Sequence, residues 1–226
     1  MKEIKRYERG YDKGEKASEG VWRFPGRNVR LADAELLLSV DEFSEEDLEN
    51  HFDIKTGEWW TEDGWVVGRN PDMCPGMIVS KEDFFGEIMF EITTKLVPPS
   101  THDINVMING EFGKERGNAY VAGIEAFWQG NIGFEKSPGY KLTAATNLFD
   151  FDPDKEHVLQ FGNAAGLLFV RVDGNICLMV TDPDPIDVNK YGKVGVEAFS
   201  SWLKFRNMKI YRLKTEKVKE YYCPEF

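Results

Sequence analysis

Two glutamates stand in strand-like contexts that suit glycoside chemistry. Glu125 lies in Tyr120-Val121-Ala122-Gly123-Ile124-Glu125-Ala126-Phe127-Trp128, where period-two alternation groups it with Gly123, Phe127 and Gln129. Glu197 shares a face with Gly195 and Phe199. Hydrolysis of a glycosidic bond needs one carboxyl group protonated as general acid and another ionised as base or nucleophile. Burial of one and solvation of the other separates their pKa values enough for both roles. If the two faces coincide, Glu125 and Glu197 are the catalytic candidates. If they do not, each is a solvated position on an exposed sheet.

Sugar rings stack their CH faces on aromatic rings, and their hydroxyls need planar polar partners. Trp128 with Gln129 and Asn131 has that composition, as does the polar pair Asn105 and Asn109. Arg206 is either a further sugar contact or the partner of an acid on the outer sheet. Trp202, in Ser200-Ser201-Trp202, suits the edge of a binding surface, whereas Trp59, Trp60 and Trp65 read first as core. His102 follows Pro98-Pro99-Ser100-Thr101 and sits beside Asp103. It is either a substrate-contacting acid/base on a loop or a solvated side chain.

Other chemistries lack their motifs. No H-x-H or H-E-x-x-H spacing supports zinc, and neither a G-x-S-x-G elbow nor a phosphate loop occurs. The E-x-D-x-E patterns of β-glucan hydrolases are absent too. Asp150-Phe151-Asp152-Pro153-Asp154 begins like an EF-hand loop but has Lys155 and Phe161 where Gly and Glu are required. Asp182, Asp184 and Asp187 alternate with prolines and read as turns. No cofactor is expected, with a structural calcium as the one alternative. Cys74, Cys177 and Cys223 form no CxxC pair, and Cys177 sits in the apolar run Ile176–Val180 as a core position.

The elements that must position these residues are strands. Ile88, Phe90 and Ile92 alternate with Glu87, Met89 and Glu91 within a strand expected over 84–93. Ile104, Val106 and Ile108 alternate with Asn105, Met107 and Asn109. Further strands are expected over 33–40, 65–68, 77–79, 120–128, 139–146, 192–199 and 203–211. Asp173-Gly174 between the runs Leu167–Val172 and Ile176–Val180 signals a β-hairpin. Ser44-Glu45-Glu46-Asp47 marks one short helix, with Leu48 and Phe52 as apolar anchors. The pattern predicts an all-β, antiparallel two-sheet sandwich. A charged arm over 1–30 precedes a single domain over 31–213, and a charged tail covers 214–226.

The succession Trp59-Trp60-Thr61-Glu62-Asp63-Gly64-Trp65-Val66-Val67-Gly68 resembles the opening of a concanavalin A-like jelly roll. Gly123-Ile124-Glu125 is similar to the middle strand of such folds, with Phe127 where a Gln would stand. The Asp173-Gly174 hairpin and Gly195-Val196-Glu197 followed by Phe205-Arg206-Asn207-Met208-Lys209-Ile210 resemble their later motifs. The resemblance spans about residues 43–212 and is nearest to the 3-keto-disaccharide hydrolase-like and YesU-like families. It implies a trough that receives sugar rings and a carbohydrate-related role, without deciding between cleaving and binding; the leading expectation is a glycoside hydrolase acting on an imported oligosaccharide. The alternatives are a non-catalytic, lectin-like module or, less favoured, a polysaccharide lyase.

Charge narrows the partners. The 226 residues carry 28 Lys and Arg against 39 Asp and Glu, a net charge of −11. Such a chain is ill suited to sequence-independent nucleic-acid binding or to an anionic membrane surface. No run approaches the ~18–20 apolar residues of a membrane span. The first twenty residues contain no apolar leader segment, and with three unpaired-looking cysteines this places the expected location in the cytoplasm. A neutral oligosaccharide suits the charge better than a polyanion, unless bases such as Lys136, Lys141 and Arg206 gather in the trough.

Overall fold

A computed structural model describes residues 21–24, 27–124, 132–139, 143–147 and 151–217. The early elements are β1 (Val21–Phe24), β2 (Arg27–Arg30), β3 (Glu35–Val40), α1 (Glu45–His51), β4 (Phe52–Ile54), β5 (Glu58–Glu62) and β6 (Trp65–Ser80). Next come β7 (Ile88–Leu96), β8 (Ile104–Gly110), β9 (Ala119–Ile124), β10 (Ile132–Ser137) and β11 (Thr143–Thr146). The last are β12 (His157–Ala164), β13 (Leu167–Val172), β14 (Asn175–Thr181), β15 (Lys193–Arg212) and β16 (Thr215–Lys217).

Two long strands organise everything else. β15 runs for 20 residues and pairs with β6 along most of its length. Its N-terminal half also pairs with β8, which continues through β9 and β10 to β11, while β4 borders the far side of β6. Its C-terminal half pairs with β7, which continues through β12 and β13 to β14, with β3 and β5 completing the other side. The register of β15 shifts between Phe199 and Ser201, where Ser200 takes a φ of +55°. A bulge turns a strand and raises its twist, so one strand pair serves two sheets. All strand pairings among the described residues are antiparallel.

The alternation read in the sequence sets the core. Ile104, Val106 and Ile108 of one sheet face Ile88, Phe90 and Ile92 of the other, with Tyr120, Phe134, Phe161 and Phe205 between them, all buried. Cys177 is half-buried against this core rather than within it. α1 forms where expected, because Ser44 and Asp47 cap each other's backbone amides reciprocally. Asp173 and Gly174 take φ of +51° and +82°, as a tight hairpin turn demands.

Several features differ from expectation: β4, β5 and β12 are strands where none was expected, and the strands expected over 65–68 and 77–79, and over 192–199 and 203–211, are continuous as β6 and β15. Residues 21–24 and 27–30, placed by sequence in the charged arm, form β1 and β2; β1 pairs with β2, and β2 pairs with β16. Phe24 and Val29 of this small sheet pack with Leu213 on Met89, Ala164 and Phe169, covering the outer face of the β7–β12–β13 sheet. β10 is a full strand between β9 and β11, although Gly133, Glu135 and Lys136 hide its alternation.

Candidate functional site

The outer face of the β8–β9–β10 sheet carries a buried ionic cluster. Cross-strand register places Glu197 opposite Asn105 and Asn105 opposite Gly123. Asn105 Nδ2 donates to Asp103 Oδ1 at 2.7 Å and to Glu197 Oε1 at 3.2 Å. The two acceptor oxygens are therefore within about 6 Å, nearer the spacing of retaining than of inverting glycosidases. Arg116, from the β8–β9 connection, lies with Nε 3.2 Å from Glu197 Oε2 and donates from Nη1 to Glu135 Oε1. Glycine is required at 123, because a Cβ there would sit 2.0 Å from Asn105 Oδ1 and 2.4 Å from the Ile104 carbonyl.

This cluster is closed to solvent. Glu197 is 0% exposed, Asp103 2%, Asn105 3% and Glu135 3%. Met77, Val79, Met107 and Val121 flank it, and Phe112 packs over them. Burial pushes the Asp103 carboxyl up to about 8, helped by the charge of Glu197. It pushes Glu197 up to about 7, against the opposing pull of Arg116 and Asn105, and raises Glu135 as well. The folded chain thus holds protons that the unfolded chain releases from about pH 4 upward.

The stability these groups add is full at low pH and declines as pH rises toward 8. Asp103→Asn fixes the neutral form and is expected to flatten that decline. Urea midpoints at pH 5 and pH 8 check it: an unchanged slope removes Asp103 as its cause.

The remaining sequence candidates scatter. Glu125, Trp128 and Gln129 lie outside the described residues. Asn109 is fully buried; its Nδ2 donates to the Gly86 carbonyl at 3.1 Å and its Oδ1 accepts from Asn163 at 3.1 Å. Its buried amide is thus occupied within the fold, which corrects its reading as a sugar contact. His102 is exposed on its loop, and the neighbouring carboxylate points inward to the cluster. Lys136 pairs with Asp182 at 2.9 Å. Asp182 and Asp187 accept the backbone amides two residues on, as turn-forming aspartates do.

An open polar-aromatic surface lies on the other sheet, where β5, β6, β15 and β7 run side by side. Of the three tryptophans expected in the core only Trp59 joins it; Trp65 is buried on this outer face, its ring covered by Lys204 (Nζ at 4.7 Å) and Arg206 (guanidinium carbon at 4.2 Å). Arg206 also pairs with Glu156 at 3.0 Å, the structural role that sequence offered as its alternative. Trp60 and Trp202 are half-buried, with ring centroids 6.3 Å apart. Arg69 stands 5.8 Å above the Trp202 ring and pairs with Glu58 at 3.1 Å. Trp202 Nε1 is buried and has no hydrogen-bond partner among the described residues. Two adjoining hollows open here, one lined by Lys95, Pro98, Asp154 and Lys204, the other by Glu62, Asp63, Trp202 and Lys204, with Val97 common to both.

The residues sequence reasoning missed are Asp103 as an inward carboxylate, Arg116, Glu135, and Lys95 and Lys204, which are cross-strand partners on β7 and β15. Arg116 comes from an irregular segment, for which periodicity gives no signal. The lysines become neighbours only through strand register.

No family model and no curated protein matches this sequence. Solved structures do match. A Bacillus subtilis protein of unknown function with a galectin-like fold aligns with a TM-score of 0.61 at 12% identity, over 80% of this chain and 98% of its own. The exoplasmic/lumenal domain of VIP36, in its Ca2+/Man3GlcNAc-bound form, aligns at 0.59 and 14% identity, over 80% and 90%. Carbohydrate-binding module CBM66 from Bacillus subtilis aligns at 0.56 and 13%, over 74% and 96%. The fold is therefore a concanavalin A-like jelly roll.

Proposed function

We propose that this jelly roll binds carbohydrate without cleaving it, on the face that carries Trp60 and Trp202. The observation that carries this reading is the pairing of two half-buried indoles with adjoining hollows on an open sheet face. Indole rings offer stacking surface for sugar CH faces. Glu62, Asp63 and Asp154 supply acceptors for hydroxyls. The structural neighbours include a carbohydrate-binding module and a mannoside-bound lumenal domain, which favours the same class of ligand.

Hydrolysis is disfavoured by the burial of Glu197. A general acid must reach the glycosidic oxygen within hydrogen-bond distance, and this carboxyl has no exposed surface and is held by Asn105 and Arg116. Burial favours the opposite reading in one respect: it pushes the Asp103 and Glu197 carboxyls up toward neutral pH, as a general acid requires. That reading needs the Arg116 segment to lift away. Titration calorimetry over a panel of oligosaccharides, run beside a reducing-end assay, separates the two. Heat of binding with no new reducing ends is expected. New reducing ends that vanish in Glu197→Gln would install the hydrolase reading instead.

A further inference from the structure

We propose that the ligand of the Trp60–Trp202 face is an acidic saccharide, whose carboxylate bridges Lys95 and Lys204. The inference rests on the carbohydrate reading above and specifies the substrate class of that site. It starts from register. Lys204 of β15 is the direct cross-strand partner of Lys95 of β7, which sets their Cβ atoms about 4.5–5.5 Å apart. Both side chains line the same hollow. Like charges directly opposite each other in a sheet are destabilising, and this chain has 39 acidic residues from which to draw a counter-ion.

The neighbouring cations already have theirs. Arg69 is paired with Glu58, Arg206 with Glu156 and Lys209 with Glu91. Neither Lys95 nor Lys204 forms an ion pair among the described residues, and Lys204 Nζ rests instead over the Trp65 ring. An anion held between the two ammonium groups would relieve their repulsion and answer both with charge-assisted hydrogen bonds.

The rest of the surface narrows the ligand to a sugar acid. The hollows adjoin the half-buried rings of Trp202 and Trp60 and are also lined by Glu62, Asp63 and Asp154. Those carboxylates accept hydroxyl hydrogens but repel a densely charged polyanion such as a nucleic acid. A ring carrying one carboxylate among several hydroxyls suits all three sets of groups. The net charge of −11 weighs against long polyuronates, so a short oligosaccharide is the fitting form.

The test uses two probes with the same ring and linkage, a short oligogalacturonate and its methyl-esterified, uncharged counterpart, titrated calorimetrically into the full chain. The acid is expected to bind at least about 10-fold tighter than the ester, about 1.4 kcal/mol. In the double variant Lys95→Gln, Lys204→Gln that ratio should fall to about one. Lys95→Arg should retain the preference. Lys95→Gln alone should melt no lower than the parent chain, because it removes a like-charge contact. Equal affinity for acid and ester, or a preference that survives the double variant, would overturn the acidic assignment alone. If neither probe nor any neutral oligosaccharide binds, the carbohydrate reading falls with it.

Discussion

Replacing Arg116 with Met is expected to cost about 3–5 kcal/mol of stability at pH 8, the range for removing one partner of a buried ion pair. Arg116 is the cation placed against Glu135 and Glu197, and its charge also lowers the pKa of Asp103. Without it, carboxylates that are nearly fully buried would lose their compensating charge. They would then take up protons rather than stay ionised, so the loss should shrink as pH falls toward 5. Arg116→Lys keeps the charge but cannot reach both glutamates with a planar fork, and should fall between parent and Met variant. Urea unfolding at pH 5 and pH 8 reads all three chains. A Met variant equally stable at both pH values would mean that the cluster does not depend on this guanidinium.

The second large effect is on binding. Trp202→Ala removes the indole that neighbours both Trp60 and Arg69 and lines one of the two hollows. Truncating a central aromatic anchor commonly costs about 2 kcal/mol or more, so affinity for a bound oligosaccharide should drop about 30-fold or further. The side chain is half-buried, so some stability is lost as well, and circular dichroism must show a native spectrum for the comparison to count. Trp60→Phe preserves an aromatic face beside the parent Trp202 and should lose much less. Equal affinity in parent and Trp202→Ala would move the ligand off this face.

Most of the fold was legible because its determinants are local. Alternation over Ile88–Ile92 and over Ile104–Ile108 assigns the inward faces directly, since a period of two admits only one burial pattern. The Asp173-Gly174 turn and the Ser44–Asp47 cap are each decided within four residues. What escaped was non-local. β1 and β2 gain a third strand only from residues 215–217, almost two hundred positions away, and nothing within 21–30 announces that partner. β10 is short and interrupted by Gly133, and it is a strand because β9 and β11 flank it.

The site was less legible for the same reason. Glu197 and Asn105 were named from residue type, and register brings them together. Residue type does not tell an inward carboxylate from an outward one. The sequence therefore offered Glu197 as a catalytic acid, where the fold buries it beside Arg116. Asn109 is separated from Asn105 by four residues of an alternating strand, yet its φ of +47° carries its amide to Gly86 and Asn163 instead. The lysine pair is invisible to any local reading, because 109 residues separate its members in the chain and one register step joins them.

The two outer faces make opposite claims on a ligand, so titration of three chains against one oligosaccharide decides between them. Parent, Trp202→Ala and Glu197→Gln are compared by calorimetry under identical conditions, with folding checked in each. Binding that persists in Glu197→Gln and is lost in Trp202→Ala is the predicted result. Binding that persists in Trp202→Ala and is lost in Glu197→Gln would place the ligand on the carboxylate face and contradict the account.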